Sequence, residues 1–255
     1  MTNHFTPLGL PVSDDKSAGQ VIEAAYQAGT HEQVDPSTTV VSWRDPSGGG
    51  LDLLLTAPGN GGTDLACASP QFVGGSRQSV RVNAIRPADG CAGCALVEVE
   101  VLDGAGEGLY PLAVAPARIA ASADRLAKMA ERGTPVPASI VFVAEEIETY
   151  PDEAAFAAGQ ERGGDAPGFA TESLIPVGLF PDREHPSAAA LVHGVVTEAR
   201  RLTNAWFGAE FWHLTVRTFG GLVDVVADPD GTGEIEPGAI VAVDGWACGQ
   251  LGEPS

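Results

Sequence analysis

The sequence predicts an α+β protein that is mostly antiparallel β, and three observations carry that prediction. Its 255 residues include 32 glycines and 19 prolines, a supply of turn formers that favours many short strands over long helices. Val97, Val99 and Val101 alternate with Glu98 and Glu100, the pattern of a strand with one buried and one wet face. Helical spacing is confined to a few stretches separated by strand-like runs. A chain of this length can hold one large domain or two modest ones around a real core. The expected division is a mixed α/β sheet domain over 1–160, a linker with a leading strand over 161–187, and a β-module over 188–255.

Taken in order, residues 4–12 (HFTPLGLPV) read as a first strand. Ser13, Asp14 and Asp15 then supply a helix start, acids favouring the positive end of the helix dipole. Val21, Ile22, Ala25 and Tyr26 recur at helical spacing until Gly29 stops the pattern. TTVVSWRD and LDLLLT flank a glycine-rich loop over 46–50 and form a hairpin. Further strands are expected from Asp64, Ser79, Ala95 and Gly108. Residues 117–132 return to helical spacing and end at Gly133 and Pro135. PASIVFVAEEIETY reads as a strand, Pro151 opens a short helix, and the polar run 159–168 is the best linker. SLIPVGLF reads as one more strand. No internal repeat stands out.

The stretch 191–251 contains four strand-like segments with turn chemistry between each pair. It looks like a small OB-like β-barrel, the fold expected for the C-terminal module. Trp206, Phe207 and Trp212 lie there with Phe211, Phe219 and Trp246, and aromatics on such a barrel can stack single-stranded bases. Arg200, Arg201 and Arg217 face eight acids over 188–251. Electrostatic attraction dominates sequence-independent binding of nucleic acid, so these aromatics are expected mainly to fill the core, leaving some for an interaction surface.

The strand and helix of residues 4–29, followed by VVSWRDPSGGGLDLL, resemble one βαβββ half-module of the vicinal oxygen chelate superfamily, the glyoxalase and bleomycin-resistance relatives. The resemblance spans residues 3–56 and rests on Asp45-Pro46-Ser47-Gly48 and Leu51-Asp52-Leu53. In metal-bearing members, side chains of the first and last strands ligate a divalent ion, so the resemblance implies His4 and Asp52 as candidate ligands. Imidazole with carboxylate is a reasonable partial set for a mid-row divalent ion. A full site in that family needs a second module.

Other candidates are local. Cys91-Ala-Gly-Cys94 lies in a turn between strands and reads as two ordinary cysteines, with a zinc knuckle or a redox dithiol as alternatives. Arg118, Arg125 and Arg132 are seven apart and share one side of their helix, a solvated face or an interaction surface. Oxygen-bearing residues alternate over 228–234, but a calcium loop would need a glutamate where Ala239 stands. His193 and His213 sit near the starts of two strands.

Global charge sets the partners. A formal charge of −20 repels phosphates and anionic membranes. No run reaches the roughly 20 apolar residues that span a bilayer, and no basic-then-apolar signal opens the chain. The sequence is therefore read as cytoplasmic and non-enzymatic, an interaction protein whose acidic surface meets an unknown protein partner, with no cofactor unless His4 and Asp52 hold a divalent metal. The alternatives are a divergent metal- or small-molecule-binding relative of the vicinal oxygen chelate group, and an OB-type single-strand binder that the charge disfavours.

Overall fold

The computed structural model describes residues 4–57, 62–87, 95–116, 119–161, 168–180 and 186–252. Residues 4–12 form no strand. Pro7 opens a short 3-10 helix at Thr6–Leu8, and Gly9, at φ 66°, closes it in the left-handed region. Proline fixes φ and lacks an N–H, so TPLG turns where an extended segment was expected. Helix α1 (Asp15–Ala28) begins as the sequence indicates: Asp14 accepts from the Ser17 N–H, and the Ser17 hydroxyl reaches back to the Asp14 N–H. This reciprocal cap satisfies two donors that the first turn leaves open.

Four strands follow, β1 (Thr30–Asp35), β2 (Thr38–Arg44), β3 (Gly49–Thr56) and β4 (Asp64–Phe72), in an antiparallel sheet of that order. The DPSG turn joins β2 to β3, with Asp45 accepting from the Ser47 N–H and Gly48 at φ 96°. One face of this sheet is apolar: Val41, Trp43, Leu51 and Leu53 pack in one core with Val21 and Ala25 of α1 and with Leu8. The other face is mixed, with the buried pair Val40 and Leu54 followed by two polar rows. Ser42, Asp52 and Ser69 lie side by side across three strands, and Arg44, Gly50 and Gln71 form the next row.

The larger sheet contains β5 (Gln78–Pro87), β6 (Ala95–Leu102), β7 (Gly108–Pro116), β8 (Val136–Tyr150), β9 (Ser173–Ile175), β10 (Ala189–Thr203), β11 (Glu210–Thr218), β12 (Gly221–Ala227) and β13 (Ile240–Leu251). Helices α2 (Ile119–Arg132) and α3 (Glu153–Glu161) flank β8 in the chain. Val97, Val99 and Val101 are fully buried while Glu98 and Glu100 remain half-exposed, as the alternation requires. SLIPVGLF yields only the three residues of β9, because Pro176 ends the strand and Val177–Leu179 is a 3-10 turn.

The pairing plan is two-fold. β5, β6 and β7 form an antiparallel meander; β5 pairs antiparallel with β8, and β7 runs parallel to β13. β10, β11 and β12 form a second meander; β10 pairs antiparallel with β13, and β12 runs parallel to β8. β8 and β13 themselves pair antiparallel from Ile240 opposite Tyr150 to Leu251 opposite Ala138. Exchanging β8 with β13 therefore exchanges the meanders, a repeat of topology that the sequence does not display. The OB-like barrel expected of 188–255 is not confirmed: the strands of that stretch link to one another through β8 as well as directly.

Candidate functional site

Three segments distant in sequence meet at one cleft: the end of β2 with its turn, the β4–β5 connection over 73–77, and the β10–β11 loop. The cleft encloses about 880 Å³, and Ser42, Trp43, Arg44, Asp45, Arg77 and Trp206 supply its chemistry.

Arg44 is held on the mixed face of the small sheet. Its Nη2 lies 2.8 Å from Asp52 Oδ1, and its Nη1 donates to the carbonyl of Trp43 at 2.8 Å. Gly50 makes this possible, since a Cβ there would stand 2.6 Å from Arg44 Cδ and 2.5 Å from the Trp43 carbonyl oxygen. Asp52 is nearly buried, and its charge, with that of Arg44, reaches Cys248. Burial pushes the Cys248 thiol up to about 12, and burial followed by the Asp52 charge raises Cys67. Both are protonated, unreactive thiols near neutral pH.

Asp45 fixes the opposite rim. Its carboxylate accepts from the N–H of Ser47 at 2.9 Å and of Trp206 at 3.3 Å. Burial alone would raise its pKa, but these hydrogen bonds outweigh that and hold it below the ordinary carboxylate range. Asn204, fully buried, accepts from the N–H groups of Trp206 and Phe207 and donates to the Leu8 carbonyl. The loop is thereby locked with Trp206 55% exposed, edge-on to the buried Trp43 at 6.0 Å between ring centroids. Arg77 completes the cleft. Its Nη1 donates to the carbonyls of Gly74 and Ser76, both at 2.9 Å. Among the described residues no carboxylate forms an ion pair with it.

The residues singled out from the sequence are dispersed. His4 stacks on Trp246 and lies 2.5 Å from Glu145 Oε1, while Asp52 engages Arg44, so each has a different partner. Among the described residues no three His, Cys, Asp or Glu side chains gather as a metal site. Cys91, Cys94 and Arg118 lie outside the described residues. Arg125 donates to the Leu251 carbonyl at 2.9 Å, and Arg132 is exposed in the last turn of α2. Trp212 is buried beneath the Arg201 guanidinium, 4.9 Å above its ring, and Phe207 packs against Trp43. Of the three aromatics proposed as an interaction set, only Trp206 presents its ring to solvent. Arg44 and Arg77 carried no signal of their own: single arginines in different segments announce nothing until the fold joins them.

Comparison with protein-family models, with curated proteins and with solved structures finds no match to this chain. Among the described residues no helix is long and apolar enough to cross a membrane.

Proposed function

We propose that the chain is a binding protein whose cleft takes a small molecule carrying an anionic group on a planar, aromatic body. One observation carries this reading. An exposed indole, Trp206, shares a cleft with Arg77, a guanidinium without a carboxylate partner among the described residues. Guanidinium presents a rigid fork of donors that matches carboxylate or phosphate, and an indole face accepts an aromatic ring. The cleft volume lies in the range typical of small-molecule sites.

A net charge of −20 opposes an anion at long range, yet at physiological salt the screening length is about 8 Å. Inside the cleft the nearest groups decide. Asp45 is committed to backbone N–H donors and Asp52 to Arg44, which leaves Arg77 without a carboxylate partner among the described residues.

Calorimetric titration with phenyl phosphate tests this. Saturable one-site binding is expected, weakened about tenfold (~1.4 kcal/mol) in Arg77→Gln and reduced in Trp206→Ala. No saturable binding, or binding that both variants leave intact, would defeat the reading.

A protein partner is the second reading, and the observation that favours it lies elsewhere. Phe219 and Leu222, 68% and 45% exposed, flank the β11–β12 turn. Capture of a specific protein that is lost in Phe219→Asp and unaffected by Arg77→Gln would support it over the ligand reading.

A further inference from the structure

Residues 73–77 connect the two sheets and have two sides. Val73 and Arg77 line the cleft, while Gly74 and Ser76 face the interior at Asp224 of β12. Asp224 is fully buried. Its Oδ2 accepts from the Ser76 N–H at 2.8 Å, and its Oδ1 lies 2.7 Å from His213 Nε2. A Cβ on Gly74 would stand 2.3 Å from Asp224 Oδ2, so the carboxylate occupies the space a side chain would need. Phe72, the last residue of β4, lies over His213 with ring centroids 4.8 Å apart. The carbonyl of Ser76, whose N–H the carboxylate holds, and that of Gly74, packed close to the same carboxylate, are the two that accept from the Arg77 guanidinium.

We infer that Asp224, supported by His213, is the positioning residue for Arg77, fixing the 73–77 turn so that the guanidinium is presented to the anionic group of the ligand. A buried carboxylate is costly unless its hydrogen-bonding capacity is met. Here it is met by one backbone N–H of the turn and one imidazole. Burial alone would raise the Asp224 pKa; the hydrogen bonds from His213 and Ser76 outweigh that and hold it below the ordinary range, which keeps both acceptors available near neutral pH. No other part of the turn has a charged anchor among the described residues. The inference rests on the anionic-ligand reading of the cleft for its consequence, but the anchoring itself can be tested separately.

The experiment uses the full chain with Asp224→Asn, Arg77→Gln and the double variant, titrated with phenyl phosphate and with phenol as the neutral probe. An amide is neutral and has one acceptor oxygen, so Asn cannot accept from the Ser76 N–H and the imidazole together and removes the charge that anchors the turn. Asp224→Asn is expected to lose the same roughly tenfold in phenyl phosphate affinity as Arg77→Gln, with no further loss in the double variant and phenol binding unchanged. Ser76→Ala keeps the backbone N–H and is expected to bind as wild type. Additive losses, or equal losses for phenol and phenyl phosphate, overturn the inference.

Amide hydrogen exchange provides the independent readout. Residues 73–77 are expected to exchange at least about tenfold faster in Asp224→Asn while β8 stays protected, and unchanged exchange overturns the positioning role. If wild type fails to bind phenyl phosphate, the ligand reading falls, and the exchange result still decides the anchoring. Should Asp224→Asn not fold, His213→Gln takes its place, with faster exchange over 73–77 expected and unchanged exchange counting against the inference.

Discussion

His193 lies near the start of β10 with its Nδ1 2.8 Å from Ser173 Oγ, the Phe169 ring stacked on it at 4.9 Å and Phe156 at 5.6 Å. Burial pushes its pKa below the ordinary value. The folded protein therefore takes up this proton less readily than the unfolded chain. The stability it contributes is complete above about pH 6.5 and declines as pH falls from there toward the folded pKa, with a slope of at most ~1.4 kcal/mol per pH unit. Urea unfolding at pH 7.5 and pH 5 is expected to show a larger loss of midpoint in wild type than in His193→Gln, which cannot titrate. Equal losses would remove His193 from the account. Asp224 follows the same sign in a lower window: its depressed pKa stabilises above about pH 4, and the contribution is lost as pH falls further. The sequence singled out His193, His213 and Asp52 but could not pair them, because each partner comes from another strand.

At the scale of elements, glycines separate positions where the chain is closed from those where it is open. Gly249 sits in β13 opposite Ile140, and a Cβ there would stand 2.0 Å from the Ser139 carbonyl oxygen. Gly249→Ala is expected to cost roughly 3 kcal/mol or more, since backbone has to move. Gly19 is exposed in α1 with no atom within 4 Å of its added Cβ. Gly19→Ala is expected to stabilise by about 1 kcal/mol, a rise of roughly 2–4 °C in Tm. Thermal melts of both variants check the pair, and similar shifts would refute the contrast.

Strands with strict alternation, such as β6, were legible in sequence because burial enforces period two. β1 was not. THEQVD is exposed along its whole length and is held by its ladder to β2, so no side-chain pattern records it. Residues 6–8 were misread because apolar content outweighed Pro7 and Gly9 in a strand reading, whereas backbone restriction decided the conformation. In the cleft, the DPSG turn and Trp206 left a local mark, as did Asp52 behind Arg44. The indole of Trp206 comes from a segment more than 100 residues away from either guanidinium.

The whole molecule turns on the β8–β13 pair. β8 meets β5 at its start, β12 in its middle and β13 along most of its length. Heat or urea is expected to unfold the protein in a single transition, with fluorescence and far-UV circular dichroism coincident. A fragment of residues 1–160 would leave β8 without β12 and β13, and it is expected to lack cooperative unfolding; a sharp transition in that fragment would contradict this. The polar run near 160 is readable as a connection because composition is local. Which strands pair across it is not, since β-pairing is written in register and shape rather than in any one segment.

Synthesis adds an order in time. A ribosome adding about 5–20 residues per second completes Tyr150 well before it reaches Ile240, a gap of roughly 5 to 20 seconds at that rate. Until β12 and then β13 are made, the SIVFVA run of β8, buried in the finished protein, lacks these partners. An apolar strand with open edges is a template for pairing between chains. The same central pair that unifies the folded protein leaves an apolar strand of the nascent chain unpaired along one edge until β13 arrives.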